Sequence, residues 1–226
     1  MKLIPAMIAA LPREVRALVK GWERQQFAGG VVVYTNGDAV VACAGMGASR
    51  VALAVQAAMD VLPVTDLISV GLAGACDAKL RVGETVRAGV VVDARTGERF
   101  EDAQFKQVLV STDAIASVKE KARLHASYSA AAVDMEAASV ARLAQSHGLG
   151  FHAIKAISDE AEFEVEGLAR FSTADGQFRA TAFALHAALR PAMWSKVIAL
   201  GRNSSKAVDA LTEALRGELD WYRKRA

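Results

Sequence analysis

Three carboxylates fall where an α/β protein gathers its chemistry. Glu14 follows an apolar run in Ala9-Ala-Leu-Pro-Arg-Glu14-Val, Asp159 follows the apolar run 151–158, and Glu136 opens a helical pattern in Val133-Asp-Met-Glu136-Ala-Ala. In open α/β sheets, ligands bind at the carboxyl ends of strands, where loops converge. Carboxyl groups placed there can give and take protons during a reaction. Each residue also has a plainer reading by itself. An acid at a helix start complements the helix dipole, worth about 0.3–1 kcal/mol. An Asp after a strand can cap a turn, and surface glutamates are common. Three such residues at separate strand ends favour a shared site. Gly71-Leu-Ala-Gly74-Ala75 reads as a small-residue turn after another apolar run, where a ligand can approach the backbone.

The elements that must position these groups follow from periodicity. Apolar runs at residues 3–10, 31–34, 39–44, 67–71, 85–92, 108–111 and 151–158 predict strands. Several are unbroken, the pattern of strands buried on both faces. Asn36-Gly37 between two of them predicts a hairpin, so the sheet is mixed. Val51, Val55 and Ala58 stripe a helix that starts near Ala48. Ala137, Val140, Ala144 and His147 stripe another, closed by Gly148. Val208, Leu211, Leu215, Leu219 and Tyr222 predict a C-terminal helix. Residues 160–177 have no clean period and read as a loop or lid.

Composition limits the function. At 226 residues, 53% hydrophobic and 23% charged, the chain suits one sizeable core. A net charge of +2 offers no strong field for nucleic acid. The stretch from Ser195 onward is basic, which fits a solvated helix end or contact with an anionic surface. Cys43 and Cys76 lie in apolar runs and read as reduced, buried thiols, and no Cys/His spacing suggests a metal. The apolar start is too short to span a membrane and contains Pro5. A cytoplasmic location without a transmembrane segment is expected, and no cofactor is implied.

Ala44-Gly45-Met46-Gly47-Ala48-Ser49-Arg50 follows a strand and opens a helix, as a dinucleotide fingerprint does. It has two of the three glycines, and its later acid, Asp66, precedes a strand where the fingerprint needs a strand end. The glycines instead suit close approach of a sugar, water or phosphate to a helix N-terminus, with Ser49 and Arg50 available for an anion.

Taken together, Val133-Asp-Met-Glu-Ala-Ala138 and Lys155-Ala-Ile-Ser-Asp159 resemble the paired signatures of the nucleoside phosphorylase/nucleosidase superfamily. Ile8-Ala-Ala-Leu-Pro-Arg-Glu14, Ala44-Gly-Met-Gly47, Gly71-Leu-Ala-Gly74 and Leu80-Arg-Val-Gly83 follow in the family's order, so the likeness spans residues 3–160. The methylthioadenosine/S-adenosylhomocysteine nucleosidase branch is similar. Gly-Leu-Ala-Gly, the short segment 111–132 and the Arg190-Pro191 tail are most similar to the hopanoid-associated nucleosidases, which act on adenosylhopane.

The resemblance implies a fold and a set of roles. The fold would be a single three-layer α/β/α domain over residues 1–226, with a twisted mixed sheet and residues 190–226 as a C-terminal helical extension. Asp159 would protonate N7 of a purine, its own acidity weakened by burial, with Ser158 positioning it. Glu136 would hold the ribose hydroxyls against Met135, and Glu14 would activate water. Gly47, Leu72, Gly74, Ile115 and Lys155 would complete the substrate site. Ser69 and Leu72 stand where hexameric phosphorylases hold phosphate with Arg and Ser, which favours water as acceptor, although Arg13 or Arg50 could replace that pair. Ile115 for an aromatic residue and Lys155 for Arg fit a larger or greasier 5′ group. A phosphate-dependent phosphorylase and a non-catalytic nucleoside binder stay open as alternatives. The family's habit implies a homodimer or higher oligomer, with residues 90–92 and 109–110 as interface candidates. A lipid-linked substrate would imply peripheral membrane contact.

Overall fold

The computed structural model describes residues 2–163 and 191–225. In chain order its elements are β1 (Pro5–Ala9), α1 (Pro12–Val15), β2 (Glu23–Gln26), β3 (Val32–Thr35), β4 (Val40–Cys43), α2 (Ala48–Val61), β5 (Asp66–Ala75), β6 (Thr85–Asp93), β7 (Arg99–Glu101), β8 (Gln107–Ser111), α3 (Val118–Tyr128), β9 (Ala130–Asp134), α4 (Ala137–His147), β10 (Gly150–Asp159) and α5 (Pro191–Arg223). The expected Asn36-Gly37 hairpin joins β3 to β4, which pair antiparallel, and Gly148 ends α4 at φ 66°. From residue 164 onward, the expected lid lies outside the described residues, as does Arg190.

β5 is the pivot of the sheet. Its first residues pair in parallel with β1, and β1 pairs in parallel with β4. It also pairs with β10 along its length, while Gly74 and Ala75 pair antiparallel with β9. Because β10 pairs with β6, β6 with β8 and β8 with β9, these five strands close on themselves. The turn expected at residues 71–75 is therefore strand. Its small residues serve packing against the site, as shown below.

Alternate residues of the inner strands feed opposite cores, as unbroken apolar runs require. On one face, Ala6, Ile8, Val40 and Ala42 pack with Val51, Ala54 and Ala58 of α2 and Val140 and Ala144 of α4. On the other, Met7, Ala9, Val41, Ile68 and Val70 pack with Val15 of α1 and with Ala207, Leu211, Leu215, Leu219 and Tyr222 of α5. Helices thus cover both faces of a mixed sheet. The predicted C-terminal helix is 33 residues long, and its second half forms one wall of the core.

Two expectations need correction. Val91, Val92, Leu109 and Val110 are buried in the core of the closed strand set, so these apolar stretches are not a free surface. Their side chains are packed into two core clusters, which takes up the apolar area a partner would need. In α4, His147 is exposed and Ala141 takes its place in the buried stripe. Cys43 and Cys76 are buried thiols, both pushed up to about 12 by burial.

Candidate active site

The carboxyl ends of β1, β5, β8, β9 and β10 meet around one cavity of about 680 Å³. Glu14, Glu136 and Asp159 all line it, together with Met135, Ser158, Leu72, Gly74 and Ile115. Three strand ends separated by up to 145 positions in sequence (Glu14 to Asp159) are therefore one site.

Glu14 owes its place to a single helical turn. Pro12 at the start of α1 is pre-set for a helix. The turn swings Glu14 inward, and the Leu11 N–H donates to its Oε2 at 3.1 Å. Burial raises the Glu14 carboxyl above its ordinary range, against the Leu11 N–H and the charges of Lys155 and Arg13. Gly71 of β5, at φ +139°, makes the space: a Cβ there would stand 3.3 Å from Glu14 Oε2.

Glu136 is the residue from which α4 starts. Its Oε1 accepts from the backbone N–H of Gly47 at 3.1 Å, so the Gly45-Met46-Gly47 loop holds a carboxylate of the protein itself. Burial first, then the neighbouring Asp134 charge, pushes Glu136 up to about 7. Gly47 is consequently a backbone support and does not line the cavity, whereas Met46 does.

Lys155 also lies off the cavity wall. Its side chain is 1% exposed, and Nζ meets Asp134 Oδ2 at 2.8 Å. Burial works against its charge, but Asp134, Glu136 and Glu14 outweigh burial and raise the ammonium above its ordinary value. Asp134 is itself held by Ser111 Oγ at 2.6 Å and by the Ala137 N–H at 2.9 Å. One buried ammonium thus serves three carboxylates beneath the site. The expected substrate contact of Lys155 is replaced by this internal one, because a lysine in the middle of β10 is too deep to reach the cavity.

At the opposite end, Ser158 Oγ donates to Asp159 Oδ1 at 2.7 Å. Asp159 is not the lone buried acid expected: its side chain is 23% exposed and ion-paired with Lys121 of α3. Lys121 is 2% exposed, and its Nζ also donates to the carbonyls of Glu160 (3.0 Å) and Phe163 (3.1 Å). Sequence reasoning missed this residue. The available signal was that Lys121 lies three positions before Leu124, on the one buried face of α3.

The anion options narrow. Arg50 donates to the carbonyls of Ala44 and Gly29, 2.7 Å for the latter. Ser69 is fully buried in β5 and does not line the cavity. Among the described residues the cavity's cations are Arg13 and Lys121. The rest of the wall is largely apolar, and α5 supplies Val197, Leu200, Gly201, Ser204, Ser205 and Val208, none of them foreseen except Val208 as part of a core stripe.

The sequence profile of the phosphorylase superfamily matches residues 6–114 and 94–190. The chain belongs to the phosphorylase superfamily. No curated protein matches it in sequence. Among solved structures it is similar to the Helicobacter pylori 5′-methylthioadenosine/S-adenosyl homocysteine nucleosidase (17% identity, 96% of this chain, 98% of that one, TM-score 0.71). It is similar to the futalosine hydrolase of the same organism at 17% identity, 96% and 97% coverage and TM-score 0.72. A putative methylthioadenosine nucleosidase from Weissella paramesenteroides is 26% identical over 70% of this chain and 88% of its own, with TM-score 0.61. In this phosphorylase-superfamily chain, the cavity joins the Val-Asp-Met-Glu and Ala-Ile-Ser-Asp segments to the first strand end.

Proposed function

We propose that this protein is a nucleosidase that hydrolyses the N-glycosidic bond of a 5′-substituted adenosine and releases adenine. The observation that carries the reading is the convergence of Glu14, Glu136 and Asp159 on one cavity, with Glu14 and Glu136 both raised by burial. Cleavage of a ribosyl C–N bond develops positive charge on the sugar, which nearby carboxylates stabilise. In this reading Glu14 takes a proton from the attacking water, Glu136 accepts from the ribose hydroxyls beside Met135, and Asp159 serves the leaving base. Raised carboxyl groups suit acid–base work near neutral pH.

Water is favoured over phosphate because Arg50 is spent on backbone carbonyls and Ser69 lies buried off the cavity wall, leaving Arg13 as the one uncommitted cation on that wall among the described residues. The 5′ group we propose is bulky and apolar, with adenosylhopane as the candidate. Leu72, Met46, Ile115, Val197, Leu200 and Val208 support this, since a charged substituent would find no partner among them. With such a substrate the basic α5, which exposes Trp194 and Ile198, would approach a membrane surface. No helix among the described residues is long and apolar enough to cross one.

The test is adenine release, followed by chromatography, from adenosine, methylthioadenosine, S-adenosylhomocysteine and a 5′-alkyl adenosine, with and without phosphate. Phosphate-independent release that is lost in Asp159→Asn at unchanged melting temperature is expected. Phosphate-dependent release would assign Arg13 to an anion site and make the protein a phosphorylase. Full activity in Asp159→Asn would remove Asp159 from the mechanism.

A further inference from the structure

Lys121 poses a chemical problem at the leaving-group end of the cavity. A buried lysine persists only where its ammonium is paired and hydrogen-bonded, and here all three N–H bonds have acceptors: Asp159 Oδ2 and the carbonyls of Glu160 and Phe163. Among the described residues nothing else competes for it. Glu120, the adjacent carboxylate, instead accepts from Nε and Nη2 of Arg123, at 2.8 and 2.7 Å. Cys76, which also faces Lys121, is pushed up to about 12 and stays a neutral thiol. Among the described ion pairs, Asp159 is the one carboxylate that Lys121 meets.

The backbone is cleared for this pair. A Cβ on Gly74 would stand 2.8 Å from Asp159 Oδ2 and 3.0 Å from Lys121 Cε, inside contact distance of both. Ser158 occupies the other carboxylate oxygen, so Oδ2 and its ammonium are fixed as a unit on the cavity wall. A carboxylate held this way accepts a hydrogen bond at each oxygen, from Lys121 at Oδ2 and from Ser158 at Oδ1. The acidic hydrogen nearest the cavity at this end is the one between Nζ and Oδ2.

We infer that Lys121 is the positioning residue for Asp159 and the source of the proton that Asp159 delivers to the departing base. This rests on the nucleosidase reading above. As the ribosyl C–N bond breaks, its electron pair goes to the base. The hydrogen on Nζ moves to Oδ2 and on to a ring nitrogen, so the base leaves neutral. Water supplies oxygen to the anomeric carbon and its proton to Glu14. Lys121 is left as an amine and Glu14 as an acid, and exchange of one proton each with solvent restores both. An ammonium suits this task, because a lysine pKa shifts readily with its surroundings, whereas a guanidinium holds its proton throughout.

The test compares full-length Lys121→Met and Lys121→Arg with the wild type, using adenine release from the preferred adenosine and melting temperature. Lys121→Met should lower kcat at pH 7.5 by about 100-fold with KM within about threefold. Its residual kcat should fall about tenfold per pH unit above the ordinary carboxylate range, where the wild type holds a plateau. Lys121→Arg should keep the melting temperature and KM yet lose kcat as Met does. That variant carries the comparison if Lys121→Met does not fold. A merely structural role predicts otherwise: an unchanged pH profile in Lys121→Met, or wild-type kcat in Lys121→Arg, would overturn the inference. Asp159→Asn in the same assay separates the two levels. If it retains full activity, Asp159 and with it Lys121 leave the mechanism and the inference fails; if the wild type releases no adenine from any nucleoside, the nucleosidase reading itself fails.

Discussion

Replacing Lys155 with methionine removes the one cation shared by Asp134, Glu136 and Glu14 while nearly preserving side-chain length. Deleting one partner of a buried ion pair costs about 3–5 kcal/mol, because the other charge is left without compensation. The low end, about 3 kcal/mol, is expected here: Asp134 keeps the Ser111 hydroxyl and the Ala137 N–H. The loss should also depend on pH, with a sign fixed by Glu136. Its folded-state carboxyl is raised to about 7 even with Lys155 lowering it. The folded chain therefore holds a proton that the unfolded glutamate, at 4.5, gives up, and this contribution to stability fades as pH rises through the folded value. Without Lys155 that value climbs further, so ionising Glu136 costs the variant more than the wild type. Urea unfolding at pH 5.5 and pH 8 should show the larger deficit at pH 8. A deficit below about 1 kcal/mol at pH 8, or equal deficits at both pH values, would refute the shared-cation account.

Other perturbations address the reacting groups and the cavity. Glu14→Gln should lower kcat about 10²–10⁴-fold with the fold intact. In the wild type, the acid limb of kcat/KM should lie above 4.5, because burial raises both Glu14 and Glu136; a limb at or below that value would contradict the burial argument. Gly74→Ala should cut kcat at least about tenfold by driving a methyl group against Asp159 and Lys121. Wild-type kcat in that variant would show that the pair tolerates displacement. Gly201→Leu places a side chain where an added Cβ meets nothing within 4 Å, on the cavity-lining part of α5. It should raise the melting temperature through helix propensity, by up to about 1 kcal/mol of stability. It should also raise KM for a long-chain 5′-alkyl adenosine and leave KM for adenosine unchanged; equal effects on both would place the 5′ group elsewhere.

How much of this was legible in the chain differs from element to element. β1, β4 and β10 could be read because strands buried on both faces are written as unbroken apolar runs. The Asn36-Gly37 turn and the Gly148 cap carry local conformational demands that few other residues meet. Glu14 and Asp159 were legible as acids that follow a strand and Glu136 as one that opens a helix, since those positions are local properties of sequence. β2, with the polar sequence Glu-Arg-Gln-Gln, and β7, three residues long, were not, because edge strands need no apolar pattern. β9 (Ala-Ala-Ala-Val-Asp) also escaped, since a run of alanines suits helix and strand alike, and so did α3, whose buried face carries only Lys121 and Leu124.

Only the tertiary structure decided what the charged residues do. Lys121 lies in a stretch to which the sequence assigned no element, and Lys155 reads as a substitution within a motif. Their effect depends on which carboxylates the chain brings to them from 38 and 21 positions away, Asp159 and Asp134. Burial and Coulomb interaction act through space, so the protonation of Glu136 and the pairing of Asp159 are properties of the folded site. The sequence determined which groups can react. Closure of β5 against β9 and β10 determined which of them share a cavity, a counter-ion and a proton.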